Sequence, residues 1–220
     1  MKQTTMIIQK LSTLLVALVI GFSISAQDAT AILNDLSAKT KTYKTIVAEY
    51  NGQLVDQKIG EVAAQNGIIK SKGQKYRLDL PDYLIICDGD NVWTYEKGSN
   101  TCFIDYLEDL SGGGINPNEL FTIWEHDFKT ELMGETTIGG VKSYHINLYP
   151  KNPADKPYHT IQMYVDKSKM QVNRIVVKGR EGDTTTYDVK KFTPNVTLPE
   201  TEFTFNKSDF PGVTIVDQRL

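Results

Sequence analysis

YLIICDGDNVWTYEKGSNTCFIDY, residues 83–106, decides the fold class. Two turn sequences, Asp88-Gly89-Asp90-Asn91 and Lys97-Gly98-Ser99-Asn100, cut it into three short apolar segments and predict an antiparallel meander. With both turns closed as hairpins, Cys87 stands opposite Val92 and Cys102 opposite Tyr95. Leu84, Ile86, Trp93, Tyr95, Cys102, Ile104 and Tyr106 then share one face, and Tyr83, Ile85, Cys87, Val92, Thr94, Phe103, Asp105 and Leu107 share the other. Both sets are largely apolar, so these strands are covered on both sides, either by protein on each side or by protein outside and a ligand inside. Either set is eligible as a cavity wall. The two cysteines point to opposite faces in this register, a count that only a bulge would change.

Outward from this stretch the chain keeps the same character. Thr45–Asp56 and Ile59–Lys70 form a first pair of strands, with Ile46, Ala48 and Tyr50 on one side, and Tyr76–Leu80 is a short third strand ended by Pro81. Beyond the meander, Thr130–Thr137, Lys142–Tyr149, Tyr158–Val165, Gln171–Lys178 and Thr184–Lys191 alternate with turns. The three prolines of residues 150–157 exclude a central strand there and predict an ordered surface loop. Phe203, Phe205 and Phe210 cover an opening or edge of the sheet, and Val213–Val216 adds a last short strand.

Two segments read as helices. In Asp28–Thr40 the spacing of Ala29, Ile32, Leu33 and Leu36, continued by Tyr43, gives one apolar face that packs on something larger. In Asn116–Phe128 (NPNELFTIWEHDF), Asn116 caps, Pro117 takes the first helical position, and Glu119 stands three residues after the cap. Leu120, Phe121, Ile123, Trp124 and Phe128 load one broad face of this helix, which either plugs the core of a β-rich domain or closes as a lid over an apolar ligand. Ser111-Gly112-Gly113-Gly114 before it is a pliable joint, without the lysine context of a phosphate loop.

Residues 1–26 read as an export signal: Lys2 and Lys10 precede or open an apolar run from Leu11 to Ile24, and Ser25-Ala26 marks the cleavage point. Residues 27–220 then form a single domain. The formal charge falls from −3 to −5 when Lys2 and Lys10 leave with the signal, and the remaining cations are scattered, which argues against nucleic acid as a partner. Three histidines (His126, His145, His159) and two cysteines leave few transition-metal ligands, and no HExxH, CxxC or nucleophile-elbow pattern accompanies them. Asp79, Asp82, Asp88, Asp90 and Asp105 share no readable cleft, and Asp88–Asn91 is a turn and not a calcium loop. The expectation is a protein without cofactor and without catalysis, whose chemistry is an apolar pocket.

At LPDYLIICDGDNVWTYEKGSNTCFIDYL, residues 80–107, the sequence resembles the LolA-like periplasmic carriers of outer-membrane lipoproteins. The likeness extends to AEYNGQLVD (48–56), GIIKSKG (67–73) and SYHINLYPKN (143–152), and to the order of elements. It implies a strongly curved antiparallel sheet forming an incomplete barrel, with helices as a lid across its hydrophobic concave face. It implies acylated lipoproteins as cargo, an inner-membrane transporter that releases them, an outer-membrane acceptor, transient membrane contact, and a monomer in the periplasm. On that basis Leu84, Ile86, Trp93, Tyr95, Ile104, Leu120, Phe121, Ile123 and Trp124 contact acyl chains, with Leu33 and Leu36 facing the same cavity from the first helix. The family's arginine-proline latch near the end of the third element is replaced here by Lys72-Gly73-Gln74, leaving Lys72 or Lys75 as partial substitutes in lid or release control. That departure keeps open a second reading, an envelope lipid or lipoprotein sensor or regulatory binding protein on the same fold.

Overall fold

A computed structural model of the chain describes residues 28–112, 122–125 and 127–219. The export signal, Gly113 and Gly114, the first half of the expected central helix with Leu120 and Phe121, and His126 lie outside the described residues.

Twelve strands form one curved, unclosed sheet in the order β12-β6-β5-β4-β3-β2-β1-β11-β10-β9-β8-β7. Two meanders build it. The first runs through β1 (Ile46–Asp56), β2 (Gly60–Lys72), β3 (Lys75–Asp79), β4 (Tyr83–Cys87), β5 (Asn91–Glu96) and β6 (Thr101–Tyr106). The second runs through β7 (Phe128–Ile138), β8 (Val141–Pro150), β9 (Tyr158–Asp166), β10 (Gln171–Gly179) and β11 (Asp183–Pro194). They join where β11 pairs antiparallel with β1. β12 (Thr214–Asp217) lies parallel to β6, the one departure from antiparallel pairing among the described strands. The expected hairpin registers are present: Cys87 opposes Val92, and Tyr95 opposes Cys102. Both thiols are free and buried, one on each face. Burial pushes the Cys102 thiol up to about 11 and raises that of Cys87 as well.

The helix α1 (Ala29–Thr40) starts where Asp28 turns its carboxylate back onto the Thr30 amide at 3.1 Å. Its buried stripe, Ala29, Ile32, Leu33 and Leu36, rests on Tyr144, Ile146 and Leu148 of β8 and Ile161, Met163 and Val165 of β9. The pairings Tyr144–Val165, Ile146–Met163 and Leu148–Ile161 place all six on one side of the sheet, the helix-bearing face.

The central segment departs from the helix expected through Phe128. Its described part is a single 3-10 turn, Ile123–Glu125, and Phe128 already opens β7 opposite Pro150. Asp127, at φ 59°, takes a left-handed conformation that a continuing helix does not allow. The proline loop is ordered: the Arg180 guanidinium donates to the Lys156 carbonyl at 3.0 Å and the Pro153 carbonyl at 2.6 Å.

The C-terminal segment crosses the other side of the sheet, the outer face. Phe203 is 1% exposed, and Phe205 and Phe210 stack on each other at 4.6 Å with Phe210 against Tyr95 at 4.5 Å.

Candidate functional site

The helix-bearing face is apolar across most of the sheet. From the cluster under α1, strand parity carries the same face through Ile175 and Val177 of β10 to Tyr187 of β11 and then to Tyr50 of β1. It continues as a second cluster of Ile46, Ala48, Ile69, Leu78 and Leu80, with Tyr43, Tyr50, Ile85 and Phe192 half-buried around it. A third group, Tyr76, Cys87 and Val92 with Leu107 beside it, completes the row.

One end of this face is closed by α1 and the 3-10 turn together. The Trp124 indole N–H donates to the Ser37 hydroxyl at 2.7 Å in a buried contact, and Lys41 pairs with Glu125 at 2.8 Å. Trp124 is 6% exposed and Leu36 1%. The structure therefore brings Leu33, Leu36, Ile123 and Trp124 into one packed cluster.

Midway along this row, on β1 and β2, two glycines leave room for aromatic rings against the backbone. The Tyr50 ring lies flat over Gly67, where an added Cβ would stand 2.5 Å from the Tyr50 hydroxyl. The Tyr187 ring flanks Gly52, where an added Cβ would meet the Gln65 carbonyl at 2.5 Å. Tyr50 and Tyr187 meet edge to face at 5.7 Å. Burial, assisted by Tyr187, pushes the Tyr50 phenol up to about 12, so neither ring brings charge to this surface at neutral pH. Beside them Gly52, Leu54, Ala63, Gln65, Thr185 and Tyr187 line a cavity of about 290 Å3.

The strand residues expected to wall the cavity lie elsewhere. Leu84 opposes Asp79, Ile86 opposes Arg77, and Arg77 opposes Lys70, while Trp93 and Tyr95 oppose Ile86 and Leu84. Leu84, Ile86, Trp93, Tyr95 and Ile104 thus belong to the outer face, with Leu84 and Ile86 buried and Tyr95 beneath the phenylalanines of the C-terminal segment. The alternative set, containing Ile85, Cys87 and Val92, faces the helix side. Local patterning does not separate the two because both are apolar; what decides is the succession of pairings through β3, β2, β1, β11 and β10 to the strands under α1, several strands away.

Lys72 and Lys75 also have a different office from the one expected. Both sit on the outer face and hold Glu200, at 2.5 and 2.8 Å, while Lys70 and Arg77 hold Glu202 at 2.8 and 3.8 Å. These four cations tie down the C-terminal segment and do not reach α1. The Lys72 and Lys75 ammonium groups hold the Glu200 carboxyl at about 2.

Among the described residues no group of three or more His, Cys, Asp or Glu is gathered in ligating geometry. His145 stacks on Tyr164 at 4.6 Å on the outer face, and burial lowers its pKa. The His159 ring nitrogen Nδ1 and the Thr160 hydroxyl stand 2.9 Å apart. The residues that sequence reasoning missed are Tyr187 and the pair Gly52 and Gly67; glycine in the interior of a strand, twice and on adjacent strands, is the signal of a close approach.

Comparison with known proteins agrees with this architecture. The family model described as outer membrane lipoprotein carrier protein LolA matches residues 41–206, which takes in β1–β11 and leaves α1 and β12 outside. An outer-membrane lipoprotein carrier protein of Shewanella pealeana is 25% identical over 195 residues, covering 85% of this chain and 86% of that one. An uncharacterised protein of Methanocaldococcus jannaschii is 29% identical over 137 residues; the match takes 61% of this chain but spans only 38% of that protein's length. The crystal structure of an uncharacterised conserved protein from Thermus thermophilus superposes with a TM-score of 0.59 at 12% identity, over 86% of this chain and 99% of that one, a likeness of fold.

Proposed function

The chain belongs to the LolA family of outer membrane lipoprotein carrier proteins, and from that premise we propose that it carries lipoproteins through the periplasm from the inner to the outer membrane. The acyl chains lie on the helix-bearing face, under α1 and Trp124 and along Tyr43, Tyr50, Ile69, Leu78 and Ile85. The observation that carries this reading is an apolar sheet face closed at one end by α1 and the 3-10 turn of Ile123–Glu125, joined by the Trp124–Ser37 and Lys41–Glu125 contacts.

The physical work is noncovalent. Each methylene withdrawn from water contributes about 0.8 kcal/mol, so a few acyl chains are held strongly by a surface that offers only apolar contact. Release needs a partner that favours the form with α1 lifted, since an equilibrium shifts only by the difference in affinity for its two states. An inner-membrane transporter and an outer-membrane acceptor are the partners proposed for loading and release. No described helix is long and apolar enough to cross a membrane.

Photoreactive residues in place of Trp124 and Ile85, in the mature protein recovered from its native envelope, test this. Crosslinks to acylated lipoproteins from both positions are expected. Crosslinks solely to a non-lipidated membrane protein would overturn the carrier reading in favour of a sensor or regulatory binding protein.

A further inference from the structure

The β1–β2 hairpin outruns its neighbour on one side. β1 pairs with β2 along Gly60–Ser71, whereas β3 pairs with β2 only along Ile68–Lys72. Residues 61–67 are therefore bonded along one edge, and no backbone group among the described residues pairs with the other edge. This stretch, Glu-Val-Ala-Ala-Gln-Asn-Gly, contains neither lysine nor proline; its charge, Glu61, and its bulge, where the register with β1 shifts between Ala63 and Glu61, lie at the hairpin end and leave residues 63–67 regularly paired with β1 and open on the other edge. Glu61, Ala63, Ala64, Gln65 and Asn66 are all exposed.

Two cavities flank this edge, one on each side of the sheet. The cavity of about 290 Å3 lies on the helix-bearing face beside Leu54, Ala63 and Tyr187. The other, of about 510 Å3, draws its side chains chiefly from the outer face, Glu49, Asn51, Asn66, Ile68 and Asp79 with Lys97. Pro81, just past the end of β3, borders both. A strand laid along residues 61–67 sends successive side chains to opposite faces, and so into the two cavities in turn.

We propose that the open edge of β2 at residues 61–67 binds, as an added strand, the extended polypeptide stretch adjoining the acyl chains of the bound lipoprotein. This rests on the carrier reading. The helix-bearing cavity is continuous with the acyl surface through the contact of Tyr187 with Tyr50, so a chain leaving that surface meets the edge at once. Backbone hydrogen bonds make the recognition indifferent to most of the cargo's sequence. The paired Lys97 and Asp79, 3.0 Å apart, with Glu49 nearby, favour polar side chains at the positions that turn outward.

Hydrogen exchange of the full mature protein, read by mass spectrometry, tests the proposal with three probes: a triacylated lipoprotein, the same lipoprotein without acyl groups, and palmitate. The triacylated lipoprotein is expected to slow exchange across residues 61–67 by an order of magnitude or more, and palmitate to leave it unchanged. Adjacent amides point to opposite edges, so one of Ala64→Pro and Gln65→Pro removes an open-edge donor while the other breaks the β1 ladder. The variant that keeps its melting temperature is expected to lose lipoprotein affinity and to retain palmitate. Lipoprotein binding with no protection at 61–67, or with protection at β7 in its place, overturns the proposal and leaves the carrier reading standing. Failure of the triacylated lipoprotein to bind at all overturns both.

Discussion

Replacing Ser37 by alanine should loosen α1 from the sheet without unfolding it. The Ser37 hydroxyl accepts the Trp124 indole N–H at 2.7 Å, and this contact is buried. Its removal strands a donor, at a cost of about 1–3 kcal/mol. Alanine is the better helix former by roughly 0.5 kcal/mol, which offsets part of that. The net, roughly 0.5–2.5 kcal/mol, corresponds to a rise of between about twofold and seventyfold in the opening equilibrium of the helix. Native-state hydrogen exchange of the α1 amides reads this opening directly, and the strands beneath should be unaffected. Trp124→Phe supplies the other arm of a double-mutant cycle: in that background Ser37→Ala should have no destabilising effect, because no donor remains to be stranded. Equal effects of Ser37→Ala in both backgrounds would refute the assignment of this contact as the tie that holds the helix down.

Other expectations follow from the same geometry. Phe203→Ala should destabilise the protein by about 3–5 kcal/mol, measured by denaturant unfolding, because the fully buried ring of the C-terminal segment is deleted. Glu200 has its carboxyl depressed from 4.5 to about 2, so its hold on Lys72 and Lys75 is complete above pH 4.5 and is lost as the pH falls through 2. Limited proteolysis of the C-terminal segment should therefore rise across that window in the native protein and show a flatter profile in Glu200→Gln, with an acid-stable protease as the probe. Gly67→Val should drive the Tyr50 ring off its strand, since its hydroxyl stands 2.5 Å from the new Cβ. Weaker titration by a fluorescent fatty acid is expected, and unchanged affinity would remove Tyr50 from the binding surface.

Much of the fold was legible because its determinants are local. The turns at Asp88–Asn91 and Lys97–Asn100 set two hairpin registers, and those registers place Cys87 and Cys102 on opposite faces without reference to the rest of the molecule. The helix from Asp28 was equally plain, as its cap and its apolar stripe lie within a dozen residues. The end of the central segment was not. Trp124 and Phe128 have helical spacing, but Phe128 pairs with Pro150 in β7, and a long ladder outweighs the preference of one short segment.

The sequence by itself determined the strand order within each meander, the partition of residues 83–106 into two faces, the apolar stripe of α1, and the absence of familiar catalytic spacing. Only the tertiary structure decided which of the two apolar faces belongs to the helix. That choice depends on the union of β1 with β11 and on the docking of Phe203, Phe205 and Phe210 over the opposite side, contacts between residues more than a hundred positions apart. Apolar patterning records that a side chain is buried but not against what. For the same reason Lys72 and Lys75 could be read as charges near a latch, while their partner, Glu200, became visible only when the C-terminal segment lay across the sheet.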